Sequence, residues 1–178
     1  MKWPHSTTIL LFNVYRYRIL ISVVMLLLLS KGYGQGINAN DRTELLLLYH
    51  QQTPAIKLSL SNWNSDSFPW EGVDVNPAGR VVALSLPYKK LSGVLPNFNL
   101  PYLEVLQLSF NQLTGAIPSF DLPQLKTLSL FNNYFNGSIP HLNTPILEKL
   151  QLSGNNLSGN IPQFGFSKLT VLFYQPIN

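Results

Sequence analysis

Apolar residues recur through the second half of the chain with a fixed period of 22 residues. The segment LEVLQLSFNQLTGAIP (103–118) is preceded by VVALSLPYKKLSGVLP (81–96) and followed by LKTLSLFNNYFNGSIP (125–140) and LEKLQLSGNNLSGNIP (147–162). A fifth, partial copy begins at Leu169. A constant period of this length indicates a repeat protein in which every copy forms one turn of a solenoid.

Within a repeat, numbered from Val81 as position 1, apolar residues occupy positions 1, 4 and 6. The alternation between positions 4 and 6 predicts a short strand with one face in the core. Because every copy runs in the same direction, neighbouring strands are predicted to be parallel and joined by crossovers. The side chains at positions 2, 3, 5, 7 and 8 are then predicted to form the exposed face of the sheet.

Other positions predict how each turn closes. Position 9 is asparagine in the second, third and fourth copies, and its amide can satisfy backbone groups of adjacent turns. Position 13 is always glycine, which permits a bend that other residues resist. The aliphatic–proline pair at positions 15 and 16 predicts an extended return path. Position 18 is expected to form a ladder in the core, and it contains Phe98, Phe120, Leu142 and Phe164.

Residues 1–34 have the pattern of an export signal. Arg16 and Arg18 precede an apolar run of 11 residues, Ile19–Leu29, and small residues that allow cleavage before Gln35 follow it. The run is shorter than the ~20 residues of a spanning helix. We therefore expect a cleaved signal and a secreted or cell-surface chain with no membrane span in its mature part; an uncleaved anchor is the alternative.

Residues 35–79 are predicted to form a helical cap, because the first turn of a solenoid has no neighbour to cover it on one side. Asn40 or Asp41 is predicted to be the N-cap of a first helix that ends before Pro54. Two tryptophans lie just before the first repeat and are expected to shield it. A second, weaker apolar pattern consists of Ile56, Leu58 and Leu60.

Charge and composition exclude several classes of function. The formal net charge is +4, but four basic residues lie in the first 34, which leaves 12 − 4 = 8 basic residues against 8 acidic ones. No nucleic-acid surface is predicted, since such a surface needs clustered lysine and arginine. The chain has no cysteine, and its histidines have no ligand spacing. We therefore predict no cofactor, no metal site and no catalytic triad.

The order of these positions resembles the plant-type leucine-rich repeat, whose consensus is LxxLxLxxNxLxGxIPxx. The resemblance covers four full copies within the repeat region, residues 80–178, starting at positions 81, 103, 125 and 147. It implies an α/β-type repeat solenoid, a right-handed coil with a parallel β-sheet on its concave face and a helical N-terminal cap. The 22-residue copies are shorter than the commonest plant form and are similar to secreted bacterial repeat proteins, so either kingdom stays open.

The cap also resembles the N-terminal cap of that family, which ends in a Cys-x-Trp-x-Gly-Val-x-Cys motif. This chain keeps Trp70, Gly72 and Val73, whereas Phe68 and Val75 stand in place of the two cysteines. Apolar side chains can pack where the family's disulfide lies. The cap is therefore expected to lack the constraint of a disulfide.

The last copy departs from the pattern. Ile177 occupies the asparagine position, and the chain ends at Asn178 without the polar cap that a solenoid end requires. We expect either that the sequence is a fragment of a longer protein or that a partner covers the last turn.

The candidate ligand-binding residues are those predicted on the exposed face of the sheet. A mixture of rings, hydroxyls and amides is typical of adaptable recognition surfaces. The alternative is that some rings only cover the edge of the sheet. The aromatic members are Tyr88, Phe110 and Phe131. The hydroxyl and amide members are Gln107, Ser109, Ser129 and Gln151.

Position 2 adds a charged series, Glu104, Lys126 and Glu148. Adjacent strands lie about 4.8 Å apart, so Lys126 is predicted to lie between two carboxylates as a cross-strand charge ladder. The catalytic alternative is a carboxylate pair for glycoside hydrolysis. The two glutamates would be about 10 Å apart, slightly beyond the inverting range, and a lysine between them disfavours the protonated acid that this chemistry needs. We therefore predict no enzyme.

Two short segments, Asn136-Gly137-Ser138 and Asn156-Leu157-Ser158, match the N-glycosylation acceptor pattern. Their modification requires a eukaryotic secretory pathway.

We predict a non-catalytic extracellular recognition module that binds a protein, peptide or glycan through the concave face of the solenoid. The resemblance to plant-type relatives implies receptor ectodomains, co-receptors and inhibitors of wall-degrading enzymes. The alternative is a structural spacer or scaffold segment within a larger cell-surface, adhesion or receptor-kinase-like protein, whose missing C-terminal region could supply a membrane span.

Overall fold

The computed structural model describes residues 36–65, 68–163 and 168–173. The predicted export signal and Phe164 of the position-18 ladder lie outside the described residues. Within the described part of the chain, no helix is both long enough and apolar enough to cross a membrane.

The cap begins with helix α1 (Ala39–His50). Its N-cap is Asn38, whose side-chain oxygen accepts a hydrogen bond from the backbone N–H of Asn40 at 3.0 Å, so the prediction of Asn40 or Asp41 is wrong. The helix ends before Pro54, as predicted. Pro54 instead starts helix α2 (Pro54–Ser59), with Thr53 as its N-cap.

The core of the cap is aromatic. Trp63 lies in a 3₁₀ helix, Ser61–Asn64, and stacks on Trp70 with ring centroids 5.4 Å apart. Tyr49 of α1 stacks on the other side of Trp63 at 6.4 Å. All three rings are buried, so this stack packs the cap without a disulfide. Within the weaker apolar pattern, Ile56 and Leu60 are buried, whereas Leu58 is 78% exposed.

Asp41 of the cap, which is 1% exposed, joins the cap to the first repeat through an ion pair and a backbone hydrogen bond. Its carboxylate accepts hydrogen bonds from the guanidinium of Arg80 at 2.8–3.2 Å and from the backbone N–H of Val81 at 2.8 Å. The hydrogen bond from the Asp41 carboxylate raises the pKa of Arg80, so the guanidinium keeps its positive charge. This contact occupies the carboxylate that was predicted to cap the helix.

The described residues contain ten strands. In chain order they are β1 (Val73–Val75), β2 (Val81–Ser85), β3 (Ser92–Val94), β4 (Val105–Gln107), β5 (Gln112–Gly115), β6 (Thr127–Ser129), β7 (Tyr134–Ser138), β8 (Lys149–Gln151), β9 (Asn156–Ser158) and β10 (Val171–Phe173).

The first sheet has the order β1-β2-β4-β6-β8-β10. Its repeat strands are parallel and pair residues 22 apart, such as Ala83 with Val105 and Val105 with Thr127, as the period predicts. The cap strand β1 pairs antiparallel with β2 and covers the edge that would otherwise be open to another chain.

A second parallel sheet, β3-β5-β7-β9, lies on another side of the solenoid and was not predicted. Its neighbours pair residues 20 apart: Ser92 with Gln112, Thr114 with Tyr134, and then Asn136 with Asn156. The strands of this sheet are therefore displaced by two residues relative to the sequence period.

Between the sheets, the apolar positions of the repeat form a continuous buried core. In the four full repeats, the apolar residues at positions 1, 4 and 6 and the described members of the position-18 ladder are at most 3% exposed. The asparagine ladder is confirmed. The amide of Asn111 donates to the carbonyl oxygens of Leu86 and Leu108, while its oxygen accepts from the N–H groups of Lys89 and Leu91, all at 2.8–3.0 Å. Each asparagine thus joins two turns.

Candidate ligand-binding surface

Position 8 of each of the four full repeats has a left-handed backbone. The φ angles are 58° at Tyr88, 56° at Phe110, 53° at Asn132 and 68° at Gly154. Asparagine and glycine adopt this conformation readily, whereas for a bulky aromatic residue it is a genuine outlier that costs about 1–3 kcal/mol. The turn therefore does not favour the rings of Tyr88 and Phe110, and their presence calls for another cause.

Together with Phe131, these two rings form one continuous feature, which we call the aromatic strip (Tyr88, Phe110 and Phe131). The rings of Tyr88 and Phe110 are stacked, with centroids 4.2 Å apart and planes at 11°. Phe131 meets Phe110 edge to face at 4.8 Å and 76°. Tyr88 is 67% exposed, and both phenylalanines are half-buried. The strip crosses the ends of the strands in the first three repeats.

The fourth repeat cannot extend the strip at position 8. A Cβ added to Gly154 would lie 2.0 Å from the side-chain oxygen of Asn132, so no ring fits there without displacing that side chain. The three rings of the strip therefore all lie in the first three repeats, on the side of the first sheet that is nearer the cap.

Beside the strip, the position-5 side chains form hydrogen-bonded pairs. The hydroxyl of Ser85 donates to the side-chain oxygen of Gln107, and the hydroxyl of Ser129 donates to that of Gln151, each at 3.1 Å. Each glutamine keeps its NH₂ group unpaired among the described residues, so Gln107 and Gln151 each leave hydrogen-bond donors on this face of the sheet.

The charged series is asymmetric. Lys126 lies beside Glu104, with an N–O distance of 2.5 Å, and Glu148 has no ion pair within the described residues. The carboxylate of Glu148 is exposed and leaves a negative charge on this face of the sheet.

The structure brings the ligand-binding candidates together on the first sheet and its strand ends. Ser109 and Ser129 are only 7% and 2% exposed, so they offer little contact area. The other eight candidates are exposed or half-buried. Asn136 and Asn156 lie elsewhere, as exposed neighbours in the second sheet. In the ranges that the structure describes, no cluster of histidine, aspartate and glutamate could hold a metal ion.

Comparisons with known proteins agree with this architecture. A family model described as leucine-rich repeats (two copies) matches residues 101–144, and a leucine-rich repeat model matches residues 147–167. No curated protein sequence matches the chain.

Several solved structures are similar. The BIR2 ectodomain from Arabidopsis thaliana is 28% identical, with a TM-score of 0.54 over 72% of this chain and 85% of that one. The Arabidopsis receptor kinase HAESA, solved with the peptide hormone IDA and the co-receptor SERK1, is 27% identical, with a TM-score of 0.51. That match covers 76% of this chain and 33% of HAESA. The ectodomain of SOBIR1 from Arabidopsis thaliana, 24% identical with a TM-score of 0.50 over 76% of this chain and 92% of that one, shows the same fold.

The matched residues are leucine-rich repeats, and their consensus positions and parallel solenoid are similar to those of plant-type leucine-rich-repeat ectodomains. The structural neighbours of the chain include ectodomains of plant receptors, and one of them is solved with a peptide and a co-receptor.

Arg80, Tyr102 and Gln124 were not singled out from the sequence, and together they line a cleft at the start of the first-sheet strands. They precede successive strands and are spaced 22 apart, so the period itself was a signal. They were overlooked because they fall at the junction between two copies, outside the consensus that defines the repeat.

Proposed function

We propose that the chain is a non-catalytic extracellular recognition module that binds a protein or peptide on the concave face of the solenoid. The contact surface consists of the aromatic strip together with Gln107, Gln151, Glu104, Lys126 and Glu148. The extracellular location accords with the ectodomains among its structural neighbours and with the predicted export signal.

The left-handed aromatic pair carries this proposal. Tyr88 and Phe110 occupy a backbone conformation that asparagine or glycine adopts at lower cost, as position 8 of the next two repeats illustrates. Strain of this kind is concentrated at functional sites. Rigid aromatic rings at a protein surface are also the commonest anchors of protein interfaces.

A spacer or scaffold segment is the second candidate. It is favoured by the side-chain pairs on the first sheet, where Ser85 with Gln107, Ser129 with Gln151 and Glu104 with Lys126 satisfy one another. A purely structural ladder would show such pairs and no binding partner.

A comparison of two triple variants separates these candidates. The first replaces the strip by residues that suit the backbone, Tyr88→Asn and Phe110→Asn with Phe131→Ala. The control removes exposed apolar side chains elsewhere, Leu58→Ala, Val94→Ala and Tyr134→Ala, which are 56–78% exposed. Both variants are used, with the wild type, to capture proteins and peptides from the extracellular fluid of the source organism, followed by mass spectrometry.

The proposal predicts that the wild type and the control retain the same partner and that the strip variant loses it. Circular dichroism of each variant verifies folding. Retention of the partner by the folded strip variant, or the absence of any partner specific to the wild type, would favour the spacer.

A further inference from the structure

A cleft lies beside the first sheet, at the ends of the strands opposite those that carry the aromatic strip. It is open to solvent, has a volume of about 690 Å³ and is lined by Asn76, Arg80, Val82, Tyr102, Glu104 and Gln124. This volume falls within the range of roughly 300–1,000 Å³ that small-molecule sites occupy. The cleft precedes the strands, whereas the aromatic strip follows them, so the cleft and the strip share no residue. Glu104 of the proposed contact surface also lines the cleft.

The charges that line the cleft are already balanced. The guanidinium of Arg80 is paired with the buried carboxylate of Asp41, and Glu104 is paired with Lys126. An anionic ligand would have to compete with Asp41 for the arginine, and a cationic ligand with Lys126 for the glutamate. The cleft therefore favours a neutral ligand.

The remaining polar groups include both donors and acceptors. The side-chain oxygen of Asn76 accepts from the N–H groups of Ala78 and Arg80 at 3.0 and 3.1 Å, which holds the amide in place and leaves its NH₂ group unpaired among the described residues. The amide of Gln124 likewise has no hydrogen bond within the described part of the chain. One oxygen of Glu104 accepts from Lys126, and the other is available. Hydroxyl groups, which donate and accept, match this set.

The walls of the cleft add an apolar surface. Tyr102 is 46% exposed, and its ring lies 4.5 Å from the central guanidinium carbon of Arg80, which holds the ring in place. Val82 and Pro101 lie alongside. A ligand that fits must therefore combine an apolar face with several hydroxyl groups at its rim.

We propose that this cleft binds a neutral pyranose sugar. The apolar face of the sugar ring lies against Tyr102, and its hydroxyls hydrogen-bond with Asn76, Gln124 and Glu104. This binding is independent of the aromatic strip and adds a second site to the solenoid.

Nuclear magnetic resonance of the ¹⁵N-labelled chain tests the proposal. Methyl glycosides of glucose, galactose, mannose and xylose are titrated singly, and inorganic phosphate is titrated as an anionic probe. The readout is the side-chain amide resonances of Asn76 and Gln124. We expect at least one glycoside to shift both resonances saturably, with a Kd of about 1–10 mM because the cleft is open and a single sugar is small.

Variants then locate the binding. Tyr102→Ala and Gln124→Ala are each expected to weaken it at least tenfold, while Tyr102→Phe retains it because the ring remains. Tyr134→Ala removes a tyrosine of the second sheet that is 56% exposed, against 46% for Tyr102, and is expected to leave sugar binding unchanged. Tyr88→Asn is also expected to leave sugar binding intact, so the sugar site and the strip can fail separately.

Three results would overturn the proposal. They are the absence of a saturable shift with all four glycosides, a response to phosphate alone, and an equal loss of binding in Tyr134→Ala and Tyr102→Ala. Each variant must give the same circular dichroism spectrum as the wild type. A loss of binding then results from the change in the cleft and not from unfolding.

Discussion

The side-chain amide of Gln52 pairs with the backbone of Ser92 as a residue of a neighbouring strand would. Its oxygen accepts from the Ser92 N–H at 2.8 Å, and its NH₂ group donates to the Ser92 carbonyl oxygen at 3.0 Å. Gln51 makes the same pair of bonds with Val94 at 3.0 and 2.8 Å. Two side chains of the cap thus terminate the edge strand β3, which would otherwise be open to another chain.

Substitution of Gln52 by glutamate tests this contact. Gln52 is 4% exposed, and a carboxylate there would face the carbonyl oxygens of Leu48 and Ser92 with no proton to donate. We expect Gln52→Glu to lower the free energy of unfolding by about 2–4 kcal/mol at pH 7, measured by urea denaturation. The matched control, Gln51→Glu, is exposed to solvent and should cost less than half as much.

The loss of free energy of unfolding in Gln52→Glu should also depend on pH. Burial beside two carbonyl oxygens raises the pKa of the introduced carboxyl in the folded state, so its penalty is largest at neutral pH. As the pH falls through that raised value, the protonated carboxyl regains a donor. The difference in stability from the wild type should therefore narrow towards pH 4, and a constant difference would contradict this account.

Tyr88 provides a test of backbone strain. We expect Tyr88→Asn to exceed Tyr88→Ile in stability by about 1–2 kcal/mol, because asparagine tolerates the left-handed backbone and a β-branched residue does not. Thermal and urea denaturation of both variants measure this difference. Simple loss of apolar contact would give the opposite order, since isoleucine is the more apolar replacement.

Thr144 occupies a core position that is leucine in the two preceding repeats, Leu100 and Leu122. It is 1% exposed, and its hydroxyl has no hydrogen-bond partner among the described residues. Replacement by valine preserves the shape and removes the unpaired group, so Thr144→Val should raise the free energy of unfolding by about 1 kcal/mol. Thr114→Val is the control: its exposed hydroxyl donates to the Gly93 carbonyl oxygen at 3.3 Å, so the same replacement there should not raise the free energy of unfolding.

Asn136 and Asn156 are paired residues of neighbouring strands, about 4.8 Å apart. Two bulky glycans at this spacing would crowd each other. In a eukaryotic secretory host we expect one glycan per folded molecule, with Asn136→Gln increasing occupancy at Asn156. Intact-mass spectrometry before and after glycosidase treatment measures both values, and a folded, doubly modified majority would refute the prediction.

The candidate surface was predictable only in part. The aromatic strip follows from the sequence because positions 7 and 8 recur beside the strands, and the rings of Tyr88, Phe110 and Phe131 must therefore be near one another. The burial of Ser109 and Ser129 did not follow from it. A residue placed on the exposed face by alternation can still be covered by larger neighbours in adjacent strands, and this depends on side-chain packing in three dimensions.

The sequence by itself determined the turns of the solenoid, the parallel pairing of residues 22 apart in the first sheet and the asparagine ladder. Each depends on a local pattern that repeats identically, so the period dictates which residues meet. Only the tertiary structure decided that the second sheet pairs residues 20 apart. A shift of two residues leaves every side chain on the same face of a strand, and the apolar pattern therefore fits both registers equally well. The contacts of Gln52 with Ser92 and of Asp41 with Arg80 were likewise decided by the fold, because each joins the cap to a repeat and has no counterpart in the period.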